Sequence, residues 1–552
     1  MRIVKRSKHN LSHENKLTCD MGYLIPVMCK LALPGDKWKV KINLSMRVAP
    51  LLAPMMHNVK VFFHTFSVPL RLLVGNDNWE KFITGGVNGD DTSVLPRIYF
   101  ENGINVGDLG DYLGFPTNEP QVTGSDGSII RAGRTFSQNV SALPYRAYAL
   151  IFNDWYRNQN TDSEGLPIGE NMGVDTTTNT TLQRRNWRKD YFTQGLPWQI
   201  RGPQVVIPTL GVSAPVYGEY DKTMNLQTYY GSARHTNTGK LGVDNTRDGD
   251  AGNYLGISTT IGSSAIGLSA NTTEVNNNQT LGGWNIIDKA ENHKSTVYAD
   301  LSNNDASTAF SDFMWANAVY NWTARQARGG ARYVETLMSQ FGVRSRDSRL
   351  QRPEFIGGSV SQLVVTPVLQ TSSTDTVSPQ GNMAGQAFTA QSSKQFTHFF
   401  DEHCVVMTLM SIMPATSYQQ GTPREWMYRT RYDFPWPAFS HTAEQATYNG
   451  EIYTTGNDTV DYQTFNFNPR YEECRRCPDE VHGEFRTTLD YWHMGRIFDE
   501  APVFNNSFVQ ARPTKRINAV TSEDNCWCDI GFQISAYRPI PKNGNPSLKV
   551  SV

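Results

Sequence analysis

Between Lys37 and Leu44 the chain alternates without a break: Trp38, Val40, Ile42 and Leu44 share one face, Lys37, Lys39, Lys41 and Asn43 the other. A period of two predicts a strand with one side in a core. Val59 to Val68 predicts a second strand, more apolar on both faces, ended by Pro69, since proline cannot donate to a ladder. Cys404 to Met413 is nearly continuous in hydrophobicity and is closed by Pro414. Asn525 to Tyr537 predicts the last strand, with Cys526, Cys528, Ile530, Phe532, Ile534 and Ala536 in one phase. The intervals between these strands are far longer than hairpin loops.

Two of those intervals carry a helical period. Leu143 to Asn158 brings Tyr145, Tyr148, Ala149, Phe152, Trp155 and Tyr156 near one face, with Pro144 at the start, where a missing N–H is tolerated. Those rings either pack a helix against the strands or stack on unpaired bases. Ser307 to Met338 is the second region, with Phe310, Phe313, Met314 and Trp322 ahead of a Gly329-Gly330 break. Beyond the break Val334, Leu337, Met338 and Phe341 form an apolar stripe, and Gly342 stands where a helix stop belongs. Arg325, Arg328, Arg332, Arg344, Arg346, Arg349 and Arg352 surround that stripe. With no nucleophile beside a base, the segment reads as a docking element.

Charge narrows the picture further. The 51 basic and 52 acidic side chains give a net charge of -1, so bulk charge cannot neutralise a nucleic acid and any contact to one must be local. Arg2, Lys5, Arg6 and Lys8 make a basic N-terminal arm, spanning residues 1–35, and Lys515 and Arg516 a second basic spot. Each is a candidate for phosphate contact, or else a solvated or subunit-contacting stretch. A mean hydropathy of -0.47 and the lack of a long apolar run argue against membrane insertion. The start, MRIVKRSKHN, has no apolar region behind it and is not read as a secretory signal.

The seven cysteines are too few and odd in number for a disulfide framework. Cys474-x-x-Cys477 and Cys526-x-Cys528 could in principle supply four thiolates to zinc. The strand phase of Cys526 and Cys528 favours buried, reduced thiols instead, so no metal or cofactor is expected. Thr209 to Asn303 differs in kind, being crowded with Gly, Asn, Thr and Ser, as in a linker. Tyr229, Tyr230, Tyr254, Trp284, Ile286 and Ile287 are more than a linker needs, and its composition favours turns and short strands.

Several long blocks resemble the major capsid proteins of microviruses, small single-stranded-DNA bacteriophages, and most closely their gokushovirus-like branch. They are HNVKVFFHTFSVPLRLL from His57, WEKFITGG from Trp79, LPYRAYALIFNDWYRNQN from Leu143 and RKDYFTQGLPW from Arg188. ARQARGGARYVETLMSQFGVRSRDSRLQRPEFIGGS from Ala324, SYQQGTPREWMYRTRYDFPWPAFSHTAEQ from Ser417 and GEFRTTLDYWH from Gly483 complete the set. They lie in the family's order and span most of the chain, with 209–303 the main stretch outside the likeness.

The resemblance implies a mainly β fold: an eight-stranded viral jelly-roll barrel whose long inter-strand insertions hold helices and a large loop protrusion. On that reading residues 36–208 begin the jelly roll, 209–303 form a surface insertion, and 304–552 supply a helical connection and the remaining strands. It implies a T=1 icosahedral shell of identical copies around a circular single-stranded DNA genome, formed in the host bacterial cytoplasm. A small DNA-binding protein, a pilot or minor protein and a host cell-surface molecule would be its partners. Arg325, Arg328, Arg332 and Arg349 are then candidates for subunit interfaces, because a guanidinium suits them as well as it suits phosphates. Tyr229, Tyr230, Tyr254 and Trp284 are candidates for host recognition.

No catalytic residues are expected. His441 with Glu444, His482 with Glu484, and His57 with His64 can be named as pairs, but none sits in a recognised catalytic motif. The rival reading is a secreted jelly-roll carbohydrate-binding protein or glycosidase, which also uses aromatics and Asn/Gly-rich loops. Particle size separates the two.

Overall fold

The structure, a computed structural model, describes residues 6–123, 128–202, 310–369, 383–442 and 444–542, together with five short strands between 216 and 299. The chain divides into two compact units, Met1–Pro203 with Trp322–Val552, and Gln204–Asn321.

The first unit is mainly β. Its long strands are β1 (His13–Cys19), β2 (Ile25–Ala32), β3 (Lys37–Val48) and β4 (Val59–Pro69), then β5 (Glu354–Gln362), β6 (Met383–Ser392), β7 (Cys404–Pro414) and β8 (Cys526–Arg538). One antiparallel sheet runs β1-β8-β3-β6, with Ser7–Asn10 also on β8, Phe396–Phe399 also on β3, and Val364–Leu369 outside β6. The other runs β2-β7-β4-β5.

The period of two in β3 is realised as burial. Trp38, Val40, Ile42, Leu44, Met46 and Val48 are buried, while Lys37, Lys39, Ser45 and Arg47 are exposed. In β8 the set from Cys526 to Ala536 is buried in the same alternation. These faces share one core with Ile25, Val27, Val59, Val61, Phe63, Val406, Met410 and Ile412 from the opposite sheet. Each large side chain so enclosed contributes roughly 1.5–3 kcal/mol. The β4–β7 ladder pairs Val59 with Pro414 and Pro69 with Cys404, so each proline sits at a ladder end, where its missing N–H removes least.

Every residue of β7 is buried. Its second face, with Val405, Met407 and Leu409, packs under helix α1 (Leu143–Ile151) beside Phe66 and Val68. The expected aromatic face is there: Tyr145, Tyr148, Ala149 and Phe152 are buried. Tyr148 Oη donates to Leu24 O at 2.8 Å and accepts from Gln183 N at 3.0 Å. After Ile151 the helix loosens into a π-helical turn, Phe152–Tyr156.

Sequence periodicity gave no notice of Arg146, fully buried in α1. Its Nε donates to Asp175 Oδ2 at 2.7 Å, and its two Nη atoms to Leu73 O and Asn171 O, each at 2.8 Å. Asp175 also accepts from Thr177 N and from the Thr178 backbone and hydroxyl. Burial pushes its carboxyl upward, but those Thr178 bonds and Arg146 outweigh it and hold the group at about 2.

Residues 7–32, expected within a basic arm, instead run as Ser7–Asn10, β1 and β2. Backbone pairing with β8 and β7 decides their place, which the charges on Lys8 and its neighbours do not reveal. The Gly357-Gly358 pair lies inside β5 at a register shift against β4. In the second unit Val216–Gly218 pairs with Val297–Ala299, and Lys240–Leu241, Leu255–Ser258 and Leu268–Ala270 form an antiparallel sheet.

Arg146→Met should cost about 3–5 kcal/mol of stability, since it leaves a buried carboxylate unpaired. Urea unfolding of the chain measures it, and a loss under about 1 kcal/mol would contradict a structural role for the pair.

Candidate functional site

The glycine break forms where the sequence places it. A helix over Phe310–Gly329 ends, Gly330 takes φ +109°, and α2 (Tyr333–Phe341) begins. A side chain at 330 would fall on the Glu335 carboxylate. That carboxylate accepts from Arg332 N at 3.0 Å and from its guanidinium at 2.9 Å, so the glycine makes room for the bond that starts α2. Gly342 closes α2 in the left-handed region at φ +67°.

The stripe on α2 is only half covered. Val334 and Leu337 are half-buried, whereas Met338 is 57% and Phe341 73% exposed, with Tyr333 and Val343 beside them also exposed. Among the described residues nothing covers this apolar surface, which makes it a candidate for contact.

The four arginines named for interfaces divide. Arg328 Nε donates to the buried Glu444 at 2.8 Å; burial raises that carboxyl and Arg328 pulls it back. Arg332, besides Glu335, donates to the carbonyls of Asn153 and Arg157. Both therefore hold the arginine-rich segment onto its own chain. Arg325 and Arg349 are exposed, and among the described residues neither has an ion pair.

A second exposed surface went unremarked in the sequence. Residues 424–442 form a loop on which Trp426 is 79% exposed and Tyr432, Phe434 and Trp436 at least half exposed. Arg424 anchors it: Nη1 donates to Glu451 Oε1 at 2.7 Å and to Ala446 O at 2.8 Å, and the guanidinium lies 4.2 Å from the Tyr448 ring centre. Glu451 also accepts from Tyr191 Oη at 2.7 Å. Asp433 accepts from Arg429 N and Thr430 N, and Trp436 Nε1 donates to Arg431 O. The signal was available: rings interleaved with arginines and prolines, in neither helical nor strand period, have no core face to enter.

The basic ends are placed unevenly. Arg2 and Lys5 lie outside the described residues. Arg6 stands over the Phe399 ring at 4.9 Å, and Lys8 is exposed, paired in register with Tyr537. Lys515 pairs with Asp20 at 2.9 Å. Arg516 donates to the carbonyls of Asp490, His493 and Gly495, so its guanidinium is occupied within the chain. Tyr229, Tyr230, Tyr254 and Trp284 lie outside the described residues.

The remaining chemistry-bearing groups are scattered. Cys526 and Cys528 are buried while Cys474 and Cys477 are exposed, so the two spacings do not share one environment. His482 bonds Glu480 at 2.9 Å, His57 bonds Ala415 O, and His64 Nδ1 bonds Tyr156 Oη at 2.7 Å. Burial lowers both His57 and His64, the latter to about 4 with Arg185 adding to the effect. Among the described residues no helix is long and apolar enough to cross a membrane.

A family model described as Capsid protein (F protein) matches residues 2–548. The chain is 33% identical over 604 aligned positions to capsid protein VP1 of Chlamydia phage 1, covering 99% of this chain and 96% of that one. It is 33% identical to capsid protein VP1 of Bdellovibrio phage phiMH2K, covering 98% and 95%. Against capsid protein VP1 of Spiroplasma virus 4 the identity is 29%, covering 99% and 96%.

His64 makes the fold acid-sensitive. Its folded value of about 4 lies below the unfolded one, so its contribution is intact above roughly pH 6.5 and is lost as pH falls toward 4. Thermal unfolding across that window should show the decline, and His64→Gln should flatten it; an identical profile in the variant would remove His64 as the cause.

Proposed function

The chain belongs to the phage capsid protein (F protein) family, and on that premise we propose that it works by tiling with copies of itself into a closed T=1 shell around circular single-stranded DNA. It is a structural protein of the virion. Its mechanism is association: each copy buries complementary surfaces against neighbours, and closed symmetry makes individually weak contacts collectively stable.

The building block is an eight-stranded jelly roll. The strand orders β1-β8-β3-β6 and β2-β7-β4-β5 support this, since they are what a ribbon wound into two facing sheets yields. Residues 70–353 connect β4 to β5 and residues 415–525 connect β7 to β8.

One observation carries the tiling. Met338 and Phe341 on α2, and Trp426 and Trp436 on the anchored loop, are apolar groups held open on hydrogen-bonded elements. Aromatic side chains and arginine are the residues that dominate the centres of protein interfaces. Arg325 and Arg349, exposed and without an ion pair among the described residues, join them across subunits. The basic N-terminal residues contact the genome, and a small basic partner supplies the charge that a chain of net -1 lacks. A pilot or minor protein completes the particle, which assembles in the bacterial cytoplasm. The polar insertion 209–303 meets the host surface.

Met338→Ser with Phe341→Ser should leave a folded chain that no longer sediments as a megadalton particle; normal shells from this variant would sink the role of α2. Deleting Gly231 to Gly283 should leave shells that form but attach poorly to cells. Failed assembly with normal attachment would overturn the host-recognition role.

A further inference from the structure

The π-helical turn Phe152–Tyr156 borders a hollow of about 320 Å³ in the first unit. Phe66, Trp155, Tyr156 and Phe355 wall it, their ring centres 5.4–6.1 Å apart. The extra residue in a π turn shifts side chains off the α-helical face, and such turns recur at functional places. Here Phe152 stays in the core while Trp155 and Tyr156 are half-buried and line the hollow.

Its polar lining offers donors. Tyr156 Oη and His64 Nδ1 share a hydrogen bond of 2.7 Å. Arg185 gives one bond, from Nη1 to Ser411 Oγ at 2.7 Å, and its guanidinium lies 4.5 Å from the Phe62 ring centre and 5.7 Å from that of Tyr156. Among the described residues Arg185 has no carboxylate partner; its charged neighbour is another cation, Arg188. A guanidinium taken partly out of water without a counter-charge is unfavourable, so the hollow is built for a ligand bearing an anion. Arg352, 4.5 Å from the centre of Trp155, is already paired with Asp347, which leaves Arg185 as the uncompensated cation of the hollow.

We propose that this hollow receives one unstacked nucleotide of single-stranded DNA, its base against the rings and its phosphate on Arg185. The proposal rests on the reading that the chain encloses such a genome. Rings take any base by its flat face, and a guanidinium takes the phosphate, so recognition is independent of sequence. A neighbouring protein could offer an aromatic ring or a carboxylate, but a nucleotide joins a flat ring and an anion in one unit of the hollow's size. This also places Trp155 and Tyr156 with the base-stacking alternative raised by their sequence, and Tyr145, Tyr148 and Phe152 with the packing one.

The test is photocross-linking of the wild-type full chain to oligodeoxythymidine carrying 5-iododeoxyuridine, with adducts mapped by mass spectrometry. Adducts on Trp155, Tyr156 or Phe355 are expected; adducts only elsewhere overturn the proposal. Arg185→Met removes the guanidinium but keeps an unbranched side chain, and should weaken oligodeoxythymidine binding about tenfold and lower its salt slope by roughly 0.7, one phosphate contact. Trp155→Leu should weaken binding while leaving the salt slope unchanged. Unaltered affinity and slope in Arg185→Met would overturn the assignment. So would loss of particles in that variant with wild-type adducts mapping elsewhere, which would mark the hollow as a contact between copies. Wild-type shells cross-linked only at other positions would remove the hollow and leave the capsid reading standing. A wild-type chain that forms no shell and binds no oligodeoxythymidine would remove both.

Discussion

Strand β7 is buried along its whole length, and that constraint organises the first unit. A strand enclosed on both faces needs a layer on each. The sheet built on β3 and β8 supplies one, and α1 supplies the other. Between β4 and β7 even the polar contact is inward, Thr65 and Thr408 hydroxyls bonding each other at 2.9 Å in a buried position. Because β7 leaves no face to solvent, the exposed loop 424–442 in the connection after it lies outside this stack. Surfaces for recognition are therefore made by connections, and the strands serve to hold them.

Holding them takes buried charge. Arg146 with Asp175 fixes α1 to the segment after it, and Arg424 with Glu451 fixes the aromatic loop to the strand and helix behind it. Neither pair is a strong source of net stability, since desolvation offsets much of the attraction. Their geometric demand is what matters: each guanidinium fork also takes backbone carbonyls, so the connection is pinned at several points. Exposed rings on a pinned loop lose little freedom when covered, which favours association.

The same logic separates arginines that look alike in sequence. Arg328 and Arg332 face carboxylates and carbonyls of their own chain, Arg516 a trio of carbonyls, and Arg185 an aromatic hollow with no acid. Spacing along the chain does not distinguish them. What does is whether a carboxylate from a distant segment arrives within reach, and for Arg185 none does among the described residues.

Read alone, the sequence determined the local geometry: the two-residue alternation of Lys37 to Leu44, the prolines ending β4 and β7, the helix break at Gly329-Gly330 and its stop at Gly342. These follow from backbone rules acting over a few residues, so a short window carries them. The family likeness was also legible, because long ordered blocks need no structure to be matched. Tertiary structure alone decided which strands pair, and so turned residues 7–32 from an expected arm into sheet. It alone buried Arg146 by bringing Asp175 and Thr178 to it, and decided how much of the docking stripe stays open, with Phe341 uncovered among the described residues. Burial, pairing and charge compensation depend on partners tens to hundreds of residues away, and no local pattern records whether such a partner comes.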